Sequence, residues 1–202
     1  MKNRLILLVI LLQVFANILE GYAQENCDLK KDQDGIKVFT CKTDSSEFKT
    51  IRAQFKSYAS IDNYLDLVRD INNYKNWHYK SIEPKLLKRV SDYEYVYYTQ
   101  IEAPWPVQNR DMVLHLRLIK KNEELSVFLE SMPEYLPEDD EYVRVPYSKS
   151  IMHLVPDPDG SGINVEFTIL ADPGGSLPIW VVNLVSAQGP YETFKQMKEI
   201  LE

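Results

Sequence analysis

The residues with the greatest capacity for chemistry are three histidines, His78, His115 and His153, and one candidate acid, Glu166. A general base needs a partner within hydrogen-bond reach, and a metal site needs ligands at matched spacing. The histidines are scattered, and the chain contains neither a Gly-x-Ser-x-Gly nucleophile elbow nor a ligand pair at helical spacing. We therefore predict a protein that is not an enzyme and holds no metal and no cofactor.

The two cysteines, Cys27 and Cys41, offer a different chemistry. In an oxidising compartment they can form a disulfide that ties the N-terminal extension to the first strand. Two unpaired thiols are the alternative. Two cysteines alone at this spacing do not make a zinc site.

The first 23 residues predict an export signal. Lys2 and Arg4 precede an apolar run over residues 5–14, and small residues stand just before position 24. A membrane anchor fits less well, because polar residues soon interrupt the apolar run. We expect one mature domain over residues 24–202, in the periplasm or outside the cell.

The net charge of the chain limits its partners. It is −7 at pH 7, so binding to nucleic acid gains nothing from counterion release, and anionic lipid headgroups repel the chain. We expect no nucleic-acid partner. Any transient contact with a membrane must depend on apolar residues.

The spacing between apolar residues changes along the chain, from two positions in expected strands to three or four in expected helices. This spacing predicts the elements that position these residues. A hairpin is expected first, then a helix with Ser60 as its N-cap, then an antiparallel meander. The expected strands cover residues 36–42, 49–56, 85–90, 93–102, 112–120, 125–132, 143–155 and 163–171.

The last element is predicted to be a long helix that begins near Pro178. Its first half is apolar on nearly all sides, so we expect that half to be buried against the sheet. Gly189-Pro190 should kink or briefly break it.

Three motifs in a fixed order carry a family resemblance. They are Trp105-Pro106 through Arg110-Asp111, Met132-Pro133 ahead of Val143-Arg144, and Asp172-Pro173-Gly174-Gly175 through Pro178 to Asn183. Together with the order of the elements, they resemble the START lipid-transfer domain over roughly residues 35–201. The resemblance implies an α+β helix-grip fold: a curved antiparallel sheet wrapped around the long C-terminal helix, with an internal hydrophobic tunnel.

The same resemblance implies which residues line the tunnel. Alternation puts Met112, Leu114, Leu116 and Leu118 on one apolar face of a strand, and the family register points that face inward. The full predicted ligand wall is Tyr97, Met112, Leu114, Leu116, Leu118, Phe167, Ile169, Val181 and Val185. Each of these side chains could instead fill a solid core.

Other motif residues are predicted to be structural. Arg110 and Asp111 should fix the start of their strand, with the arginine satisfied by a carboxylate or by turn carbonyls. Gly174, Gly175 and Pro178 should form the hinge and first turn before the C-terminal helix. In sterol-binding relatives a buried ion pair lies in the tunnel, and Tyr97 and Leu116 stand at the matching positions here, so that polar anchor is absent.

The resemblance implies a carrier or sensor that binds one lipid or other hydrophobic molecule. A helix-grip enzyme remains an alternative, and a cavity holding both Tyr97 and His115 would favour it. A structural domain with a filled cavity is the other alternative.

Overall fold

The computed structural model describes residues 26–44 and 46–202, with the side chains of Leu184 and Val185 set aside. The predicted export signal and the expected mature start at Gln24 lie outside these residues. The strands are β1 (Cys27–Gln33), β2 (Ile36–Thr43), β3 (Ser46–Ser57), β4 (Ser81–Ser91), β5 (Glu94–Ile101), β6 (Arg110–Lys121), β7 (Glu124–Ser131), β8 (Val143–Arg144), β9 (Tyr147–Pro156) and β10 (Ile163–Asp172). The helices are α1 (Ile61–Arg69), a 3₁₀ helix (Ile71–Asn76), α2 (Ile179–Val185) and α3 (Gln188–Leu201).

The described strands form one sheet in the order β1-β2-β3-β10-β9-β7-β6-β5-β4. Neighbours along this path are antiparallel, while the short β8 pairs in parallel with β6. Strand β10 pairs with both β3 and β9, and so joins the two parts of the sheet. The predicted hairpin and meander are therefore confirmed.

One predicted strand is divided in two. Residues 143–155 were expected to be continuous, but the chain leaves the sheet between β8 and β9. Pro146 lies in this gap, and a proline has no N–H with which to continue a ladder.

Strand β1 was not predicted. Its sequence is polar and most of its side chains are exposed, so it carries no hydrophobic alternation. It pairs with β2 at the edge of the sheet, and a Cys27–Cys41 disulfide with an S–S distance of 2.03 Å joins the two strands.

Helix α1 begins as its sequence predicts. The Ser60 Oγ accepts a hydrogen bond from the Asn63 N–H at 3.1 Å, which satisfies one of the free donors of the first turn. Tyr64, Leu65 and Val68 form its buried face.

The C-terminal helix is interrupted between α2 and α3, at Ser186 and Ala187. In a continuous helix the residue at position 190 would donate to the Ser186 carbonyl, but Pro190 has no N–H. The break therefore falls just before the predicted Gly189-Pro190 pair.

The prediction that the first half of this helix is buried is wrong. Among the described side chains of α2, Trp180 is 69% exposed and the others are half-buried. The second half is the buried one, because Tyr191, Phe194 and Met197 on α3 are each at most 4% exposed. Apolar residues on all sides of a helix favour its burial. They do not show that other parts of the same chain bury every side.

The core lies between the inner face of the sheet and the helices. Helix α3 packs on β2 and β3, while α2 packs on β3. Within the described residues, no helix has both the length and the apolar character needed to cross a membrane.

Candidate functional site

Strand β6 organises the site, because its alternate side chains face opposite sides of the sheet. Met112, Leu114, Leu116 and Leu118 face the inner core. His115 and Arg117 lie on the outer face. Arg110 lies two residues before Met112 on the strand, so its side chain belongs to the inner face too.

Burial changes along this inner face. One region of the inner face is tightly buried: its side chains are each at most 4% exposed, and they are Leu116, Leu118, Leu154 and Val165. We call these four residues and their surroundings the packed half. The register aligns Phe167 with Leu118 and Ile169 with Leu116 across the sheet, so the change in burial runs obliquely to the strands. Farther along β6 and β10, Met112, Phe167 and Ile169 are only half-buried against the core. We call these residues, with Arg110 and the half-buried side chains of α2, the open half.

Helix α2 contributes to the open half. Val181 is half-buried, and the Asn183 Oδ1 accepts a hydrogen bond from the Lys49 N–H of β3 at 3.0 Å. The side chain of Val185, another predicted wall residue, lies outside the described part.

A buried ion pair supports this end of the sheet from the outer face. The Arg144 guanidinium donates to both Asp111 carboxylate oxygens, at 2.9 and 2.8 Å. It also donates to the carbonyls of Pro133, Leu136 and Pro137. Bonding to Asp111 is the main reason that the pKa of Arg144 is raised. Arg144 thus fixes the acidic loop between β7 and β8 to the start of β6.

Arg110 is arranged differently, although it is adjacent to Asp111 in the chain. It is 8% exposed, and its Nη1 donates to the Gln108 carbonyl at 2.5 Å. Burial lowers the pKa of its guanidinium. A turn carbonyl was expected to bond Arg110, and the Gln108 carbonyl does so at one of its donors, while Asp111 pairs with Arg144 instead.

The glycine-rich segment before α2 packs closely on β8. Gly174 has φ +68°, and a Cβ there would lie 2.8 Å from the Arg144 carbonyl oxygen, so a side chain does not fit. Gly175 has φ +72°, and a Cβ there would lie 3.9 Å from the Arg110 Nη2. Pro178 then precedes the first turn of α2. The predicted structural residues Arg110, Asp111, Gly174 and Gly175 therefore meet around β8.

A sequence model described as "START domain" matches residues 34–202 of this chain. The chain belongs to the START domain family. A protein of Pseudomonas aeruginosa, uncharacterized protein PA1579, is 31% identical over 180 residues, which cover 88% of each chain.

Solved structures agree with this START assignment. The crystal structure of a STAR-related lipid transfer protein from Xanthomonas axonopodis has a TM-score of 0.80 at 34% identity and covers 88% of this chain and 99% of that one. Human StAR-related lipid transfer protein 5 has a TM-score of 0.77 at 14% identity, with 94% and 91% coverage, and shows the fold alone. The α+β helix-grip fold expected from the sequence is thereby confirmed.

Tyr97 and Leu116, the two residues expected to replace the polar anchor of sterol-binding relatives, both lie in the core of this START domain. Tyr97 is 1% exposed and Leu116 is fully buried. Tyr97 lies opposite Leu114 on β6, and its ring meets Tyr74 edge-on with centroids 5.3 Å apart. Burial raises the pKa of the Tyr97 hydroxyl, which stays neutral.

The histidines with polar partners lie on the outer face of the START sheet. His115 Nε2 is 2.7 Å from the Glu94 Oε1, and His153 Nδ1 is 3.0 Å from the Ser126 Oγ. Since Tyr97 opposes Leu114 whereas His115 opposes Val96, Tyr97 and His115 face opposite sides. They do not share a cavity. Residues 26–44 and 46–202 contain no cluster of three or more His, Cys, Asp or Glu suited to a metal ion.

Sequence reasoning missed three residues of this START domain. Arg144 was noted as part of a motif but was given no role. Trp77 and His78 were not singled out as a pair, yet the Trp77 Nε1 and His78 Nδ1 are buried without hydrogen-bond partners in the described part. Burial lowers the pKa of His78 to about 4. The aromatic run around Trp77 was the available signal, because aromatic residues between a helix and a strand commonly enter the core.

Proposed function

We propose that this START domain binds one lipid or other hydrophobic molecule in a tunnel between the inner face of the sheet and α2, as a carrier or a sensor and without catalysis. The observation that carries the proposal is the open half, where Met112, Phe167 and Ile169 remain half-buried on the inner face and α2, which packs on β3, is also largely half-buried. Apolar side chains left this way retain surface that a ligand can cover. The lipid-transfer names of the similar structures support the same class of ligand.

Binding would derive chiefly from the removal of apolar surface from water, at about 25 cal/mol per Å² before the costs of association and ordering. The packed half has little surface left to contribute, since Leu116 and Leu154 are fully buried. The ligand is therefore expected to contact Met112, Phe167, Ile169 and Val181 more than Leu116 or Leu118.

We place the protein outside the cytoplasm, as the leader sequence predicts. The Cys27–Cys41 disulfide supports this assignment, because structural disulfides persist in oxidising compartments.

A transient membrane contact also belongs to the proposal. Trp105 is 91% exposed and Trp180 is 69% exposed. The first lies in the turn before β6 and the second follows the glycine segment beside Arg110, so both belong to segments that border the open half. Exposed tryptophans suit the interface between lipid and water. A net charge of −7 makes them more important than charge for docking, and disfavours nucleic acid.

Native mass spectrometry of the protein purified without detergent tests the proposal. We expect a hydrophobic adduct at one molecule per chain that organic extraction removes. Met112→Trp should abolish the adduct by filling the open half. Ile119→Trp, on the outer face of the same strand, should retain it.

A bare protein mass that persists after incubation with mixed lipids would overturn the proposal in favour of a filled core. A bound molecule that is converted to another during incubation would favour the helix-grip enzyme instead.

A further inference from the structure

We propose that Arg110 is the receptor for an anionic headgroup, a carboxylate or a phosphate, on the molecule bound in the open half. This inference rests on the proposed function and narrows its ligand class. The ligand is then an acidic amphiphile, with its apolar part along Met112 and its oxyanion at Arg110.

The first support is the position of Arg110 on β6. It lies two residues before Met112, at the end of the inward row that continues through Leu114 and Leu116. Its backbone is paired on both sides, with Ile101 of β5 and Val143 of β8. The guanidinium therefore stands on a rigid strand at the boundary between the apolar wall and the turn before β6.

The second support is a comparison of two neighbouring arginines that are equally buried. Arg110 and Arg144 are each 8% exposed. Arg144 is fully compensated by the Asp111 carboxylate and three carbonyls. Arg110 has the Gln108 carbonyl, and among the described residues it forms no ion pair.

A buried charge without an opposite charge is costly, so such groups are normally paired. A guanidinium has five N–H donors in a planar fork that matches carboxylate and phosphate oxygens. One carbonyl occupies part of that fork. An oxyanion would supply the missing negative charge through bidentate, charge-assisted hydrogen bonds.

The third support is the residue beside the guanidinium. A Cβ at Gly175 would lie 3.9 Å from the Arg110 Nη2, so a side chain at this position could reach the guanidinium, and glycine offers it no partner. A Cβ at this position would make ordinary contacts, the closest being 3.4 Å to Val143. The positive φ of +72° is tolerated best by Gly, Asn and Asp.

The test uses the purified, delipidated protein with a neutral fluorescent dye, N-phenyl-1-naphthylamine, as the reporter. Dodecanoate, dodecyl phosphate and dodecanol are compared as competitors, since they share one chain length and differ in the headgroup. We expect at least one of the two anions to displace the dye at a concentration about tenfold below that of dodecanol, the range of one charge-assisted contact.

Arg110→Gln should remove this preference while the affinity for dodecanol stays the same. Arg117→Gln is the matched control, because it removes an exposed arginine from the outer face of the same strand. An unchanged preference in Arg110→Gln would overturn the inference.

A second pair of variants keeps the test decisive if Arg110→Gln does not fold. Gly175→Asp would place a carboxylate beside Arg110 and satisfy it internally, so the preference for anions should disappear. Gly175→Asn has nearly the same shape without the charge and should retain the preference. Equal preference in these two variants would contradict the proposal.

The remaining outcomes separate the two proposals and the two sources of the anion. If neither the dye nor dodecanol binds, the proposed function fails and this inference fails with it. If both bind but the anions show no advantage, this inference alone is wrong. Acetate and inorganic phosphate should not displace the dye or change the melting temperature through Arg110; if they protect the protein as well as dodecanoate does, the site is for a free anion and not for a lipid headgroup.

Discussion

The two halves of the inner face use the same strands for different purposes. In the packed half, Leu116, Leu154 and Val165 are at most 1% exposed, as is Met197 of α3. In the open half, Met112, Phe167 and Ile169 keep part of their surface, and Trp180 of α2 is exposed. The difference shows that one amphipathic sheet can be tightly packed in one region and keep partly exposed apolar surface in another.

The anchoring of the two helix segments follows the same division. On α3, the Thr193 hydroxyl accepts from the Tyr79 N–H at 3.1 Å, the Tyr191 hydroxyl donates to Asp34 at 2.5 Å, and the Lys198 ammonium donates to the Lys56 carbonyl at 2.9 Å. On α2, the Asn183 side chain bonds to the Lys49 N–H of β3. Helix α3 is therefore tied to the rest of the domain at more points than α2 by the bonds named here.

The largest effect should come from the ion pair outside the open half. Asp111→Asn leaves the buried Arg144 charge without a counter-ion, so we expect a loss of about 3–5 kcal/mol in the free energy of unfolding. Urea denaturation measures it. Glu94→Gln, which breaks the more exposed contact with His115, should cost less than about 1 kcal/mol. A loss as small for Asp111→Asn would mean that this end of the sheet does not depend on the pair.

The comparison itself is tested by truncation within one strand. Leu116→Ala should lower the free energy of unfolding by about 2–5 kcal/mol, because it creates a cavity in the packed half. Met112→Ala, on the same face, should cost less than about 1.5 kcal/mol and weaken ligand binding instead. Equal losses in urea denaturation would show that the two halves are packed alike.

Acid should act on the core through His78, whose ring lies beside the buried Trp77. Burial lowers its pKa from 6.5 to about 4, so the unfolded chain takes up this proton at a higher pH than the folded chain. Stability from this group is complete above pH 6.5, falls as the pH drops from 6.5 to 4, and is constant below that. The loss should be on the order of 3 kcal/mol.

Urea denaturation at pH 7, 5.5 and 4.5 measures the slope, and His78→Gln should reduce it. His153→Gln is the control, because this exposed histidine lies on the outer face. An identical slope in the wild type and His78→Gln would show that other groups account for the acid response.

The smallest effect on stability should come from the exposed tryptophans. Trp105→Ala and Trp180→Ala should each change the free energy of unfolding by less than about 0.5 kcal/mol. Both should reduce flotation of the protein with neutral phosphatidylcholine vesicles. Tyr58→Ala removes an aromatic side chain that is 71% exposed and follows β3, beside the C-terminal end of α3, and should not alter flotation. Unchanged flotation of the tryptophan variants would place the docking surface elsewhere.

Much of the fold could be predicted because local signals agreed with it. Alternation located most strands, and Ser60 marked the start of α1. Strand β1 escaped prediction because pairing and a disulfide hold it, not hydrophobic burial. The burial of α2 was overestimated because a partly exposed apolar helix has the same sequence pattern as a core helix.

The site was harder to predict because its key contact joins distant residues. Arg144 and Asp111 are 33 residues apart in the sequence, and no local pattern predicts that they form a pair. The adjacency of Arg110 and Asp111 instead suggested that the two act together. Strand alternation could have separated the two residues, because neighbours on a strand point to opposite faces. Arg110 therefore faces the same side as Met112, and Asp111 faces the other.

The break at Ser186 and Ala187 has a consequence for hydrogen exchange. Helix α2 has seven residues, too few to be stable by itself, and no side chain caps its N-terminus. Because the hydrogen bonds of the helix are not continuous from α2 into α3, those of α2 can open while those of α3 stay closed. Slow exchange in α3 beside fast exchange in α2 would mark two cooperative units, and a bound molecule would then need to displace only two helical turns to leave.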